Sequence, residues 1–198
     1  MNITSPYIST VLYFSVMLKP DQMNENIYNN LKENIITQYK SKCYKNYGYI
    51  IDIIKIIDKS DGTCDINNTE SGANFNIMAS VILCKPLNDT FILCQLENIT
   101  KVLIMAKNGP INVIIIPDRM HNNFIFQGNE LKYKYNDKQY KPVVKDDIVK
   151  IKVEQTKIVN NAENITIMGY LYDMATENEI QMFYDEYYKA TNFLKLVK

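Results

Sequence analysis

The stretch from Gly72 to Pro86 constrains the fold of this chain more than any other part of the sequence. It follows a polar loop, begins with a glycine and continues as a mostly apolar segment of strand length. It ends at a proline, which cannot donate a hydrogen bond to a sheet. The chain before it has the pattern of strand, helix and strand, and short strands follow it. We therefore predict that it is the last strand of one domain and the hinge into the next.

Three earlier segments complete the predicted first domain. Residues 8–18 carry apolar side chains on both faces, which predicts a central strand that is covered on both sides. Apolar residues then repeat every four positions, which predicts an amphipathic helix over residues 22–39 with Asp21 as its cap. Residues 47–57 are rich in branched and aromatic side chains, which favour a strand. The expected order is β-α-β-β, with one helix on one face of a small sheet.

After Pro86 the pattern changes to short strands separated by turns, and Asn108-Gly109 is a strong hairpin signal. Strands are predicted at residues 90–99, 101–106, 111–116, 131–135, 139–143, 147–158 and 165–171. About five or six short antiparallel strands in one small unit predict a closed barrel of the OB type. A helical pattern begins at Thr176, and it is either a cover over the barrel or a docking helix for a partner.

The chain is therefore expected to have an α+β fold in three parts. Residues 1–86 form the N-terminal domain, residues 87–173 form the barrel, and residues 174–198 form a helical extension. The sequence contains 22 basic and 22 acidic residues, so its formal net charge is zero. This balance argues against a strongly basic nucleic-acid-binding protein, although local charge remains informative.

Composition also bears on the compartment. No apolar run is long enough for a transmembrane helix, and residues 1–18 lack the basic start of a secretory signal. The four cysteines form no CxxC pair. We expect free thiols in a reducing compartment and an intracellular protein without membrane contact.

No catalytic constellation is recognisable. The single histidine, His121, follows Met120 in a predicted loop, without a serine or cysteine in a recognisable nucleophile motif. Neither a dinucleotide-binding glycine motif nor a phosphate-binding P-loop occurs. Asp146 and Asp147 are better explained by a solvated turn than by a metal site. We expect a protein that is not an enzyme and that needs no cofactor, and the alternative of a small hydrolase lacks a nucleophile, a base and a metal cluster.

Lysines and tyrosines are interleaved between residues 132 and 152, where seven lysines occur with three acidic residues. Lysines follow a phosphate backbone and aromatic rings stack on bases, so this pattern predicts contact with single-stranded RNA. The candidate RNA-binding residues are Lys132, Tyr133, Lys134, Tyr135, Lys138 and Lys141. The alternative is a solvated hairpin whose lysines protect a sheet edge against pairing.

Three segments resemble a known family. The first is residues 16–20, a strand that ends in proline, followed by a helix and by Cys43 through Ile50, which match a "C…(F/Y)-G-Y-I" entry to a strand. The second is the opening stretch, with Gly72, Phe75 and the hinge residues Val81-Ile82-Leu83-Cys84-Lys85-Pro86. The third combines the hairpin Asn108-Gly109-Pro110-Ile111-Asn112-Val113 with Pro117, Met120, residues 144–153 and Met168-Gly169-Tyr170-Leu171.

In this order the segments resemble the larger stalk subunit of multisubunit DNA-directed RNA polymerases, the seventh subunit of eukaryotic polymerase II and RpoE of archaea. The resemblance implies a non-catalytic subunit with an N-terminal tip domain that docks on the polymerase core. It also implies an OB barrel near nascent RNA and a small helical partner subunit. The residues carried over to core docking are Gly48, Tyr49, Gly72, Phe75, Lys85 and Pro86.

Two stretches depart from the family pattern, namely Leu87-Asn88-Asp89 after the hinge and Thr100-Lys101-Val102-Leu103-Ile104 before the second barrel strand. The second stretch lacks the family's glycine-aromatic pair. A divergent and AT-biased version of the subunit suits a large DNA virus or an AT-rich protist, so we expect virion and host cytoplasm in the first case and the nucleus in a cellular eukaryote. The alternative function is a free-standing OB-fold protein that binds nucleic acid in translation or RNA processing.

Overall fold

A computed structural model of the protein describes residues 2–64, 72–136 and 139–192. The N-terminal part contains a sheet and a helix, in the order β1 (Tyr7–Leu18), α1 (Ile27–Tyr39), β2 (Cys43–Tyr44), β3 (Gly48–Lys59), β4 (Thr63–Cys64) and β5 (Ala73–Cys84). The rest contains β6 (Phe91–Ile99), β7 (Ile104–Asn108), β8 (Ile111–Ile115), β9 (Phe124–Gln127), β10 (Glu130–Asn136), β11 (Gln139–Pro142), β12 (Ile148–Lys157), β13 (Ile165–Met174) and α2 (Glu177–Asn192).

The strand β5 organises the N-terminal sheet, as the sequence predicts. The strand order is β1-β5-β3-β2, and β4 also pairs with β5. The pairing of β1 with β5 is antiparallel and continues without a break from Tyr7 opposite Cys84 to Leu18 opposite Ala73. Alternate residues of β5, including Phe75 and Ile77, are buried because successive side chains point to opposite faces of a sheet.

Helix α1 covers one face of this sheet, so the predicted β-α-β-β arrangement is confirmed. Leu31 and Ile35 of the helix are fully buried and belong to the same apolar cluster as Phe14 of β1. The C-terminal end of the helix is held to β3 by an ion pair of 2.6 Å between the Lys40 ammonium and the buried Asp52 carboxylate.

Strand β1 lies at the edge of the sheet, so the prediction of a central strand is wrong. Its outer face carries Val11 and Tyr13, whose side chains are 43% and 70% exposed. An apolar residue on the second face of a strand therefore did not mark a second covering layer here. Apolar atoms make up much of any protein surface, which is why the pattern misled.

Two local features of the N-terminal part differ from the prediction. Pro20 begins a short 3-10 helix that ends at Gln22, and α1 begins only at Ile27. The side-chain amide of Asn30 donates to the carbonyl of Gln22 over 2.7 Å and holds the intervening turn in place. The two-residue strands β2 and β4 lie where no strand was predicted, since elements so short show no periodicity.

The predicted barrel is confirmed in its essentials. Five strands close it in the order β12-β13-β8-β7-β6. The pair of β13 and β8 is parallel, so the expectation of antiparallel strands alone is wrong at this one contact. Sequence patterns give the strands, but they do not give the direction in which distant strands meet. Gly169 lies where an added Cβ would run into the side chains of Ile151 and Val113, so a glycine lets three strands approach closely.

Strands β9, β10 and β11 form a separate three-stranded sheet, which we call the accessory sheet. The prediction placed two of these strands in the barrel. The accessory sheet instead packs against the barrel through Phe124, Leu131 and Tyr133, whose side chains belong to the apolar cluster of the barrel. The sequence did not distinguish this additional layer from the barrel, because its strands show the same alternation of apolar and polar residues as barrel strands.

Helix α2 covers part of the outer barrel wall. Phe183 is buried against Leu93 of β6 and Ile148 of β12, and Ile180 packs at the same place. The N-terminal segment joins this wall, since Ile3 forms a parallel bridge with Phe91. The beginning of α2 therefore acts as a cover. Among the described helices, none has the length and apolarity required to span a membrane. The domain boundaries at residues 86 and 173 stay predictions.

Candidate functional site

The sheet and the barrel meet at two polar contacts that flank a shared apolar core, which together we call the junction. At the first contact the edge of β2 is extended by the loop between β12 and β13. The amide of Cys43 donates to the carbonyl of Ala162, and the amide of Asn161 donates to the carbonyl of Cys43, both at 2.8 Å. The amide of Lys45 also donates to Oδ1 of Asn160 at 2.8 Å. The sheet and the barrel thus share a short strand-like pairing.

The second contact lies at the start of β1. The Tyr7 hydroxyl donates to Oδ1 of the buried Asn108, over 2.8 Å. The side-chain amide of Asn108 donates in turn to the carbonyl of Leu93, also at 2.8 Å. The next residue, Gly109, has a φ of +56°, and a Cβ there would lie 2.5 Å from the Tyr7 oxygen. Glycine therefore satisfies both the turn and the close approach.

Apolar packing fills the space between these contacts. Cys43, Ile51 and Cys84 of the sheet belong to the same buried cluster as the barrel core. Burial raises the pKa values of the Cys43, Cys84 and Cys94 thiols, so they remain neutral side chains with little nucleophilic character. All four cysteines are free, which confirms that prediction.

The six predicted docking residues lie at two separate ends of the sheet. Gly48, Tyr49, Lys85 and Pro86 lie at the junction, whereas Gly72 and Phe75 lie toward the far end of β5. From Gly72 to Lys85 an extended strand covers roughly 40 Å. The structure therefore does not bring the six residues together into one surface.

The junction residues of this set serve contacts within the chain. Gly48 has a φ of +143°, and a Cβ there would lie 2.6 Å from the Cys84 carbonyl oxygen. Burial raises the pKa of the Tyr49 hydroxyl, whose ring packs against the barrel cluster. A groove of about 390 Å³ opens beside the hinge, and its lining includes Lys85, Pro86 and Thr156.

At the far end, Gly72 also avoids a clash, because a Cβ there would lie 2.7 Å from the Leu18 carbonyl oxygen. Phe75 is buried between the sheet and α1. The ammonium of Lys59 lies 5.7 Å from the centre of its ring. Phe75 is therefore a core residue. The turn after β1, which contains the 38% exposed Met23, follows Leu18, and Leu18 pairs with Ala73 at this end of β5.

The predicted RNA-binding residues lie on the accessory sheet, and the alternation of β10 divides them. Lys132 and Lys134 lie on one face together with Tyr140, which pairs with Lys134. Tyr133 points the other way, toward the barrel, where its hydroxyl donates to Asp173 at 2.6 Å. Burial and the Asp173 carboxylate raise the pKa of Tyr133 to about 12.

Tyr135 and Lys141 are exposed, whereas Lys138 lies outside the described residues. Among the described members of the set, Lys132 and Lys134 are therefore half-buried and Tyr133 is committed to the barrel. Tyr140, which lies outside the predicted set, adds a second exposed ring beside Tyr135. The ammonium of Lys132 also contacts Gln127 at 3.1 Å, within the accessory sheet.

A polar network links the accessory sheet, the barrel and α2. The carboxylate of Asp173 accepts the bond from Tyr133 and lies 4.0 Å from the Lys150 ammonium. Lys150 also contacts Glu179 at 3.0 Å, and Glu179 accepts a bond of 2.7 Å from the amide of Thr176. Burial raises the pKa of Glu179, but the bonds from Thr176 and Lys150 outweigh it, and the net pKa is lowered.

The predicted solvated turn at Asp146 and Asp147 is present. Oδ2 of Asp147 accepts a bond of 2.9 Å from the amide of Val144 within the turn before β12. His121 lies beside Tyr172, with 5.5 Å between the ring centres. Across the parts of the chain that the structure describes, no three His, Cys, Asp or Glu residues are grouped so as to hold a metal ion.

Comparison with known proteins agrees with this geometry. Residues 15–68 match the family model described as the SHS2 domain found in the N terminus of Rpb7p/Rpc25p/MJ0397. Over 181 residues the chain is 33% identical to a protein of Acanthamoeba polyphaga mimivirus named "Putative DNA-directed RNA polymerase subunit L376". The match covers 90% of this chain and 88% of the viral protein.

This chain belongs to the Rpb7 family of RNA polymerase subunits. The resemblance found in the sequence is thereby confirmed, as is the fold of an α+β tip followed by an OB-type barrel. Within this Rpb7-family chain, the SHS2 match includes two of the predicted docking residues, Gly48 and Tyr49. The other four follow it in the sequence.

Sequence reasoning missed the polar contacts of this Rpb7-family chain. Tyr7 and Asn108 are 101 positions apart, and Cys43 pairs with a loop more than a hundred residues later. The Asn108-Gly109 signal correctly gave the turn, but it did not reveal that the asparagine side chain would be buried. Long-range pairing leaves no trace in local periodicity.

Proposed function

We propose that this chain is a non-catalytic subunit of a multisubunit DNA-directed RNA polymerase. It docks on the polymerase core by the far end of its N-terminal sheet and holds its barrel near nascent RNA. Its family membership supports this role, and the proposal includes the absence of an active site of its own. The observation that carries it is the junction, which fixes the barrel to the sheet by polar contacts on both sides of a shared core.

Each element of the junction suits a subunit that holds one surface at a set position relative to another. The pairing of Cys43 with Ala162 lies at one side of the sheet, and the bond from Tyr7 to Asn108 lies at the other. Two separated contacts oppose rotation about the hinge after β5 more than one contact would. We propose that Gly48, Tyr49, Lys85 and Pro86 influence docking by fixing this geometry.

We assign the docking surface itself to the far end of the sheet, around Gly72 and the turn that contains Met23. The Met23 side chain is 38% exposed there. Phe75 supports this surface from the core. A small helical partner subunit of the stalk belongs to the same proposal, on the strength of the family alone.

For RNA we propose a weak contact on the accessory sheet, through Lys132, Lys134, Lys141 and the exposed rings of Tyr135 and Tyr140. The exposed Lys141 and the half-buried Lys132 and Lys134, together with two exposed rings, support charge contact with phosphates and stacking on bases. Lys138 stays part of the predicted set. If the source is viral, as the mimivirus relative suggests, the protein acts in the host cytoplasm and is packaged in the virion; in a cellular eukaryote it acts in the nucleus.

The test is purification of a tagged copy from the cells or virions in which the protein is made, in high salt. We expect the large polymerase subunits to co-purify. Met23→Asp should reduce their recovery, because it places a charge in the docking surface. Val102→Asp is the matched control, since Val102 is 82% exposed and lies in a barrel loop. Recovery of RNA without polymerase subunits would contradict the proposal and favour a free-standing RNA-binding protein.

A further inference from the structure

The free edge of β1 is capped along only part of its length. The carbonyl of Tyr13 accepts a bond of 3.0 Å from the Tyr44 hydroxyl, and the carbonyl of Ser15 accepts one of 2.9 Å from the Tyr39 hydroxyl. The carbonyl of Met17 accepts a bond of 3.1 Å from the side-chain amide of Asn34. Three consecutive outward carbonyls are thus satisfied by side chains of α1 and β2.

Two outward-facing residues before this capped part remain open. Alternate residues of an edge strand direct their backbone N–H and C=O groups away from the sheet. The backbone groups of Tyr13, Ser15 and Met17 point away from β5, so those of Ser9 and Val11, at the same alternation, point away from β5 as well. At the start of the strand the amide of Tyr7 is bonded to the Ser5 hydroxyl. Within the described residues, no hydrogen-bond partner is present for the outward backbone groups of Ser9 and Val11.

Nothing in the composition of β1 protects this open part. Natural sheet edges are usually blunted by lysine, proline or a bulge. Strand β1 contains neither charged residues nor proline, and its pairing with β5 continues without a register shift. Ile8 and Val11 are both exposed, one on each face of the strand. The edge therefore offers unpaired backbone groups between apolar side chains.

We propose that Ser9–Val11 binds an extended segment of a partner protein, which adds to the sheet as a further strand. The open part is about 10 Å long and suits a segment of a few residues. The segment would bond to the N–H and C=O groups of Ser9 and Val11 and place apolar side chains beside Ile8 and Val11. This mode of recognition takes its affinity from the backbone and its selectivity from alternate side chains.

A second copy of the chain fits less well than a free segment. In an antiparallel pair of two β1 strands centred on Thr10, Tyr13 of each copy would lie opposite Tyr7 of the other. The Tyr44 hydroxyl that caps the Tyr13 carbonyl would then obstruct the chain of the other copy. An extended segment of a few residues ends before that position. The inference rests on the proposed function, because we take the partner to be a component of the polymerase complex.

Hydrogen exchange with residue resolution tests the inference. The full chain is compared alone and within the polymerase complex purified as above. We expect the Ser9 and Val11 amides to exchange about tenfold more slowly, or slower still, in the complex. The Thr10 and Leu12 amides, which face β5, should be protected in both states. Unchanged exchange at Ser9 and Val11 in an intact complex overturns the inference and leaves the polymerase assignment standing, whereas failure to recover any complex contradicts both.

Two variants give an independent readout. Val11→Pro removes one outward N–H that the sheet itself does not use, and Val11→Thr is the matched control that keeps it. We expect the proline variant, and not the threonine variant, to lose the protection at Ser9. If the proline variant does not fold, the double variant Ser9→Lys/Val11→Lys keeps every N–H and introduces the charges that normally protect an edge. Full protection of residue 9 in that folded variant within the complex would also overturn the inference.

Discussion

The hydroxyl of Tyr7 lies 2.8 Å from Oδ1 of Asn108 and links the first strand of the sheet to the second strand of the barrel. Asn108 passes the connection on to the barrel backbone at Leu93. The bond joins the two parts of this Rpb7-family chain through the buried side chain of Asn108. Removing this bond should therefore lower the free energy of unfolding and change the relative position of sheet and barrel.

Tyr7→Phe should destabilise the protein by about 1–2 kcal/mol, because it leaves the buried Oδ1 of Asn108 without its donor. Urea unfolding measures the change. Tyr13→Phe is the matched control, since the Tyr13 side chain is 70% exposed, and it should alter the free energy of unfolding little. An equal effect of the two substitutions would show that the hydroxyl of Tyr7 contributes nothing specific.

Gly109→Ala should destabilise the protein by about 1 kcal/mol more than Gly128→Ala. Both glycines have a positive φ, +56° and +62°, so both variants carry a similar backbone cost. Only at Gly109 would the new methyl group meet the Tyr7 oxygen, whereas nothing lies within 4 Å of the same position at Gly128. Unfolding free energies of both variants, with and without Tyr7→Phe, test whether the extra cost depends on the Tyr7 hydroxyl.

The elements of the fold could be predicted where local pattern decides them. The apolar repeat through Leu31 and Ile35 gave the helix face, and Asn108-Gly109 gave the turn between β7 and β8. The edge position of β1, the parallel pairing of β13 with β8 and the accessory sheet could not be predicted in the same way. Each depends on which distant strand is the neighbour, and alternation is the same for any neighbour.

The residues of the candidate sites show the same limit of sequence-based prediction. Lysines and tyrosines near residue 133 were visible in sequence, but their separation onto opposite faces required the register of β10. Tyr133 illustrates the difference, since its bond to Asp173 holds a candidate base-stacking ring against the barrel. Phe75 was visible as part of a motif, and only packing revealed that it is buried.

The attachment of α2 should weaken in acid. The folded-state pKa of Glu179 lies below the ordinary value of 4.5, so its ionised form contributes stability above that value. This contribution is lost as the pH falls through the lowered pKa. Unfolding measured between about pH 6 and about pH 3 should therefore show a smaller loss for Glu179→Gln than for the natural chain. Glu177→Gln in the same helical turn is the control and should keep the natural pH dependence.

The lysines of the accessory sheet should account for the salt dependence of any RNA binding. Replacing Lys132, Lys134 and Lys141 together by glutamine should weaken binding of a single-stranded RNA and reduce the slope of log affinity against log salt by about 2. Fluorescence anisotropy at several salt concentrations gives both quantities. The control replaces Lys19, Lys32 and Lys55 of the N-terminal part by glutamine, and it has the same change of charge. If both variants lose affinity equally, the RNA contact is not on the accessory sheet.

Phe75→Ala should reduce the stability of the fold, and any loss of docking should follow from that reduced stability. The ring is buried among the residues that join the sheet to α1, so its removal should cost about 3–5 kcal/mol of stability. Phe75→Leu, which keeps an apolar side chain there, should cost less and should retain polymerase association at temperatures where the variant is folded. Met23→Asp, by contrast, should reduce association with little change in unfolding, because Met23 lies outside the core. If Phe75→Leu lost association while its stability stayed close to that of the natural chain, Phe75 would contact the polymerase directly and its assignment to the core would be wrong.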